Sequence, residues 1–332
     1  MGVRVVNLAS LALAAERRGA RFEVHRSSLG EQMGAEKLAV TTFVVPPGRV
    51  DGPCRFHLRV EEVILVLGGE PHLRLGGAEH RLSPGDVVGL PPRVSSAWQV
   101  LNRAERPAHL LVAATRGDRD VMGLPDSRKK VYRVGGDGEP ARDVVLGPRG
   151  VTDLYDGEDV DVPLGPAPPE PAARDPRIAN LEDAPWEAFG RGPHGGERRR
   201  LSRRTGAAEL GYSLYRIAPG RQAFPFHFHH VNEEFFFVRR GHGRLRTIDG
   251  ERDVGPGDAF LCRADSGGAH SVANAGDASL EYFALSTMAE PEVLEYPDTG
   301  ETHVMVGAPP GGDPRRRVLD RVFRRGERGG EA

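Results

Sequence analysis

The sequence predicts an all-β protein made of two similar sandwich or barrel units, and three observations carry that expectation. The 332 residues include 43 Gly and 27 Pro, so turn signals recur along the chain and stretches of 3.6-residue periodicity are scarce. Short β-rich runs lie between the turns, among them Leu38–Val45, Val63–Leu67, Tyr212–Ile217, Glu234–Val238 and Leu280–Leu285. Sliding the chain against itself by 172 residues aligns 38–127 with 210–299 without a gap, and 24 of those 90 pairs are identical. Unrelated sequences match at roughly one position in fifteen, so the chain carries an internal duplication. Many short strands in a duplicated unit mean two closed or sandwiched β domains.

The repeat register then orders the elements. It sets Pro47-Gly48-Arg49 on Pro219-Gly220-Arg221, Glu61-Glu62 on Glu233-Glu234, Pro84-Gly85-Asp86 on Pro256-Gly257-Asp258, and Pro125-Asp126 on Pro297-Asp298. Upstream, Asn7-Leu8 faces Asn180-Leu181 at a shift of 173. The stretch Val5 to Ala15 has the look of a signal-peptide core, but Asn7 and Ser10 interrupt it and its internal counterpart marks it as mature structure. Residues 159–176, rich in Pro, Asp and Glu, read as an exposed linker between a first domain at 1–158 and a second at 177–306. Residues 307–332 read as a mobile basic tail in which Val318, Leu319, Val322 and Phe323 could form one short amphipathic helix.

Composition excludes several classes of function. Hydrophobic residues make up 39% and charged residues 28%, and no apolar run is long enough to span a bilayer, so neither a membrane helix nor a disordered chain is expected. Lys plus Arg number 45 against 47 for Asp plus Glu, a net charge of −2, which gives no pull toward nucleic acid or anionic lipid. The arginines at 315–317 and at 324–325 are read as a solvated terminus, since no nucleic-acid-binding pattern accompanies them. Small molecules are the expected partners. Cys54 and Cys262 are too few for a disulfide framework and suit a cytoplasmic protein; Cys262 reads as a small buried hydrophobe.

Chemistry concentrates in the second copy, where His227-x-His229, Glu234 and, later, His270 and Asn274 follow Gly220 and frame Gly241 and Gly257. Residues two apart on a strand share a face, so His227 and His229 can offer imidazoles to one point, and a short turn brings Glu234 round beside them. Three imidazoles and a carboxylate suit one divalent transition metal, Fe, Mn, Ni, Cu or Zn, with coordination positions left open. Pointing these groups into a barrel without a partner would cost roughly 1–3 kcal/mol for each unsatisfied polar group. Alternation sends Glu234, Phe236 and Val238 inward, and Glu233, Phe235 and Phe237 outward. Tyr212, Tyr215, Phe236 and Asn274 are candidates to line the pocket, with Phe224 and Phe283 able to line it or fill the core.

These residues resemble the cupin superfamily, whose first motif runs roughly Gly(x)5–6HxH(x)3–4Glu(x)6Gly. The second copy matches it fully. It departs from the second motif, where Arg263 replaces the usual proline and the loop 264–269 is longer, although His270 and Asn274 keep their spacing. Because both copies carry the frame, the chain resembles a bicupin. That resemblance implies two double-stranded β-helix (jelly-roll) barrels and, commonly, a homodimer.

Carried back by 172 residues, the four ligand positions become Arg55, His57, Glu62 and Trp98. A guanidinium cannot ligate a cation and an indole offers no lone pair, so the first copy is expected to hold no metal. Arg55 is expected to supply Glu62 with the positive charge that a metal would give, and Trp98 to fill the vacated volume. The outward rows Phe235 and Phe237, and Val63 and Leu65, need covering, by the other barrel, by the N-terminal arm or by a partner subunit. On function, a metal-dependent dioxygenase leads. A metal-dependent isomerase or lyase is the alternative enzyme, and a non-catalytic module binding a sugar or metabolite is the alternative from another class. Spacing alone supplies no second general base.

Overall fold

The structure is a computed structural model, and it describes residues 2–136, 139–308 and 314–324. Each copy of the repeat builds a seven-stranded antiparallel sheet. In the first the order is Ile178–Asn180, Asp86–Leu90, Glu62–Gly68, Ala108–Thr115, Leu38–Val45, Phe22–Ser28 and Ala14–Arg18. In the second it is Val5–Asn7, Asp258–Cys262, Glu234–Arg240, Leu280–Thr287, Leu210–Ile217, His194–Arg200 and Glu187–Arg191. A three-stranded sheet lies across each: Trp98–Leu101, His72–Leu75 and Ala78–Arg81 in the first copy, and Gly250–Val254, Gly243–Thr247 and His270–Asn274 in the second. Between the layers, Ile64, Val66, Leu73, Leu75, Val100 and Leu110 form one core, and Phe236, Val238, Leu245, Phe260, Val272 and Tyr282 form the other. These are the two jelly-roll units expected of the duplication.

The repeated residues hold repeated joints. Arg74 clamps Asp126 with two hydrogen bonds of 2.6 and 2.8 Å, and Arg246 clamps Asp298 at the same two distances. Gly241 has φ of +76°, and a Cβ there would lie 2.5 Å from the Ser279 carbonyl, so this turn admits only glycine.

The division at 158 and 177 needs correcting. Val5–Asn7 pairs with Asp258–Cys262 of the second sheet, while Ile178–Asn180 pairs with Asp86–Leu90 of the first. Each unit thus receives its edge strand from the segment preceding the other. The asparagines explain the docking: Asn7 Nδ2 donates to Asp258 at 2.8 Å, and Asn180 Nδ2 donates to Asp86 at 2.8 Å. The segment 159–176 forms no strand, but Val160 and Leu164 cover Phe22, Val50 and Leu101 of the first unit.

The outward rows face each other. Val63, Leu65, Leu111 and Ala113 from one copy meet Phe235, Ala259, Phe283 and Leu285 from the other in a shared core, with Phe237 against it. Intramolecular contact therefore covers them, and the homodimer expectation rests on the resemblance alone. Two buried carboxylates lock this interface reciprocally. Glu233 accepts the backbone N–H groups of Glu36, Lys37 and Leu38 at 2.8–3.0 Å. Glu61 accepts those of Ala208, Glu209 and Leu210 at 2.9–3.1 Å. Each glutamate satisfies the backbone donors that enter the first long strand of the opposite repeat.

The tail departs from the expected helix. Leu319–Arg324 is a strand pairing with Glu301–Val306, because the exposed edge of that strand offers backbone partners that a short isolated helix would lack. Residues 325–332, expected to be mobile, lie outside the described residues. No helix among the described residues is long and apolar enough to cross a membrane.

Candidate metal centre

Four elements deliver the second-copy cluster. His227 and His270 face each other across an antiparallel bridge whose backbone hydrogen bonds are 3.1 and 2.9 Å. His229 sits on the two-residue strand Phe228–His229 opposite Leu294, and Glu234 opens the strand Glu234–Arg240 between Cys262 and Ser286. The three imidazoles are buried, and the His227 ring centroid lies 5.2 Å from that of His229 and 4.7 Å from that of His270. Glu234 Oε2 is 3.2 Å from His229 Nε2 and 3.1 Å from His270 Nε2. Ligand atoms of His227, His229 and Glu234 all fall within 4.8 Å of one another.

The hydrogen bonds behind the rings fix their orientation. His227 Nδ1 donates to the Pro225 carbonyl at 2.8 Å, His270 Nδ1 to the Gly268 carbonyl at 3.0 Å, and His229 Nδ1 to Glu292 Oε2 at 3.1 Å. A carbonyl only accepts, so in the neutral rings Nε2 carries the lone pair, and that pair faces the cluster. His229 Nε2 is buried and faces Glu234 Oε2 at 3.2 Å without hydrogen-bond geometry. An orphaned imidazole nitrogen beside a carboxylate and two further imidazoles is the donor set a divalent cation completes, so the residues present fit a metal.

Without a cation the charges are strained. Burial pushes the His227 imidazole down to about 3, with the neighbouring His270 and His229 adding to the effect. Burial also opposes charge on His229, yet the Glu234 carboxylate, joined by Glu292, lifts it to about 10. Glu234 is held well below the usual carboxylate range, its burial outweighed first by His229. Two buried carboxylates, Glu234 before His229 and Glu292 behind it, thus call for positive charge at the cluster, from a proton on His229 or from a cation.

A cavity of about 280 Å³ opens from this cluster into the second barrel. Phe236 and Tyr215 are among its lining residues. Tyr212 belongs to the lining as well, while most of its ring packs in the inter-barrel core and its hydroxyl bonds Thr205 Oγ1. Asn274 lies away from the cavity, because its Nδ2 ties the Ile217 and Ala278 carbonyls together. Asn102 makes the same pair of bonds in the first copy, to Val45 and Arg106. A residue kept in both barrels, whatever their ligands, marks a turn and not a pocket.

In the first copy every equivalent position is satisfied by protein. Trp98 Nε1 donates to Glu62 Oε2 at 2.7 Å, and the indole is 1% exposed. Arg55 differs from expectation: it pairs with Asp51 at 2.9 Å and lies 3.6 Å above the Trp98 ring, so Asp51 and not Glu62 is its counter-ion. His57 Nδ1 bonds Asp120 at 2.5 Å while its Nε2 stays 3.8 Å from Glu62. The indole N–H, placed nearer Glu62 than the guanidinium, does what the arginine was expected to do.

Three features escaped sequence reasoning. Glu292, the register counterpart of Asp120, orients His229. His303 lines the cavity and is hydrogen-bonded to Asp320 on the terminal strand. Arg198 and Arg200 enter the same cavity from strand His194–Arg200. The alternation in Glu197–Arg200 could have shown two arginines on one face, but nothing local indicated which.

A cupin-domain family profile matches residues 41–114 and again 213–286. Those two segments are offset by the same 172 residues as the repeat. The chain is a bicupin. Solved structures agree in fold. A glyoxylate-induced protein from Pseudomonas aeruginosa is 15% identical, with TM-score 0.54, over 86% of this chain and 88% of that one. Oxalate decarboxylase from Lactobacillus farciminis is 12% identical, with TM-score 0.54, over 85% of each chain. A structure concerned with the Mn(II) centres of Bacillus subtilis oxalate decarboxylase is 14% identical, with TM-score 0.51, over 85% of the bicupin and 76% of that chain. No curated protein matches in sequence.

Proposed function

We propose that this bicupin is a metal-dependent enzyme acting on a small organic molecule in its C-terminal barrel, with dioxygenase-type chemistry as the leading reaction. The observation that carries the reading is the convergence of three outward-braced imidazoles and Glu234 around the orphaned His229 Nε2, at the end of a cavity large enough for a small molecule. His227, His229, Glu234 and His270 would hold one divalent transition metal, Fe, Mn, Ni, Cu or Zn. Such an ion supplies a Lewis-acidic, and for most of these elements redox-active, centre with positions open to substrate. Manganese centres in a bicupin of like fold support the choice of a divalent metal.

The chain's own residues do the rest. Pro225, Gly268 and Glu292 keep the rings turned toward the cluster. Phe236, Leu294 and Tyr282 give the cavity apolar walls, which strengthens the charge interactions beside them. His303 favours a second reading, metal-dependent isomerase or lyase: bonded to Asp320 through Nε2, it offers Nδ1 for proton transfer at the cavity wall.

Oxygen consumption separates the two. Metal-loaded protein is incubated with a panel of small organic acids, phenols and diketones while oxygen uptake and product formation are followed together. Dioxygenase chemistry requires oxygen uptake matching turnover and abolished by Glu234→Ala. Turnover at full rate without oxygen would overturn it in favour of the lyase or isomerase. No turnover from any metal-loaded form would favour a non-catalytic binding module.

A further inference from the structure

The charges along the cavity of the second barrel do not balance. Its lining includes Arg198, Arg200, Arg203 and Arg317, but Glu234 is its one acidic member among the described residues. Most of that positive charge has an owner. Glu187 lies 3.0 Å from Arg200, Asp320 lies 2.5 Å from Arg317, and Arg203 is exposed to solvent at the mouth. Arg198 is the exception. Among the described residues it has no carboxylate within ion-pair distance, and its Nε is buried without a hydrogen-bond partner. Glu187 stands opposite it in register but pairs with Arg200, and the Arg198 guanidinium meets the Tyr215 hydroxyl and, at 5.6 Å, the face of Phe189. Burial, with the charges of Arg198 and Arg203 adding to it, lowers the proton affinity of Arg200, so these cations crowd one another.

The first barrel shows the resolved version of the same position. Arg26, the counterpart of Arg198, is exposed and bonded to Glu16 at 2.6 Å. In the second barrel the corresponding arginine has turned to a cavity and lost its carboxylate. The path from it to the histidines is continuous: Tyr215 packs edge-on to Phe224 at 5.9 Å, and Phe224 lies 6.2 Å from the His227 ring. Register gives the span. Arg198 pairs with Tyr215, Tyr215 with Tyr282 and Tyr282 with Val238, four residues along the strand from Glu234. Three strand spacings make ~14 Å across the sheet and four residues ~13 Å along it, about 20 Å between the two backbones, of which the arginine and glutamate side chains together cover about half, so an extended compound of several carbon atoms bridges the rest.

We propose that the cavity takes a small carboxylate-bearing compound, its carboxylate held by Arg198 and Tyr215 and its other end lying at the His227–His229–Glu234–His270 cluster. A planar guanidinium beside a phenol presents the two-pronged donor set that a carboxylate fits, within walls that shield it from water. The assignment of the far end rests on the proposed metal centre; the carboxylate subsite does not.

The test measures binding of acetate, malonate, succinate and benzoate, and of the matching neutral amides, to the full chain by calorimetry and thermal shift, with metal content determined on the same preparations. Wild type should bind at least one carboxylate at millimolar concentration, and its amide at least ~10-fold more weakly. Arg198→Gln should weaken that carboxylate ~10-fold or more with metal content unchanged. Arg198→Lys, which keeps the charge but not the fork, should fall between and guards against a misfolded glutamine variant. Arg244→Gln, on the exposed side of the three-stranded sheet, should bind as wild type. Amides binding as tightly as carboxylates, no probe binding at all, or a folded Arg198→Gln protein binding as wild type would each overturn the proposal. Wild type free of metal that still binds carboxylates through Arg198 would instead defeat the proposed metal centre and leave this subsite standing.

Discussion

Replacing Glu233 by alanine should loosen the joint between the two barrels. The side chain is 1% exposed and its carboxylate takes three backbone N–H groups, from Glu36 at 2.8 Å, Lys37 at 2.9 Å and Leu38 at 3.0 Å. Hydrogen bonds to a charged acceptor contribute about 1.5–3 kcal/mol each, but the three share one anchor and water can re-enter part of the gap. An overall loss of about 3–5 kcal/mol is therefore expected. Unfolding entropy of about 2 cal/mol/K per residue over the chain converts this to a fall of roughly 4–7 °C in Tm. Glu233→Gln, left with a single acceptor oxygen, should lose less. Differential scanning calorimetry is the assay, and Glu251→Ala, at an exposed site, is the control. Because Glu61 performs the reciprocal service, the Glu61→Ala, Glu233→Ala double variant should also split one transition into two. A Glu233→Ala shift no larger than the control would refute the reasoning that these carboxylates join the barrels.

Arg55→Ala should cost about 3–5 kcal/mol, since it leaves the Asp51 carboxylate, buried at 3% exposure, without its counter-ion; denaturant melts matching those of a surface arginine variant would contradict this. The His57–Asp120 pair should shape the pH profile of stability. The Glu62 and Asp120 carboxylates raise His57 above its ordinary value against burial, and the bond to His57 lowers Asp120 against its own burial. The histidine's contribution is complete below about 6.5 and is lost as pH rises through its raised value, whereas the aspartate's is complete above about 3.8 and is lost as pH falls through its lowered one. The pair therefore stabilises most between those limits, and Asp120→Asn should lower stability inside that window and remove the fall above and below it; an unchanged profile would tell against it. Glu292→Gln should weaken metal retention about 10–100-fold in competition with a chelator by releasing His229, and retention equal to wild type would remove Glu292 from the account.

The fold was legible because duplication and turn chemistry are local signals. The 172-residue register located the strands, the outward rows and all four cluster positions, and strand parity sent Phe236 inward and Phe235 outward. Partner choice was not legible. Asn7 and Asn180 were visible as a repeated pair, but which barrel each docks on depends on Asp258 and Asp86 brought close by folding. Arg55 and Glu62 were read as neighbours because their equivalents ligate together; the Trp98 indole donor, a long-range contact, decides otherwise. Asn274 looked like a pocket residue by motif and is a turn tie by geometry. His303 and Arg198 reach the cavity, and Glu292 the back of His229, from strands distant in sequence, so none carries a spacing signature.

Elemental analysis of the purified chain, alongside His229→Gln and His270→Gln, tests the central claim most directly. One equivalent of a divalent transition metal per chain is expected in the wild type, lost from both variants and released as pH falls through roughly 6.5 to 5, where free imidazole gains its proton. Two equivalents per chain, or one that survives both substitutions, would contradict a single metal centre in the second barrel.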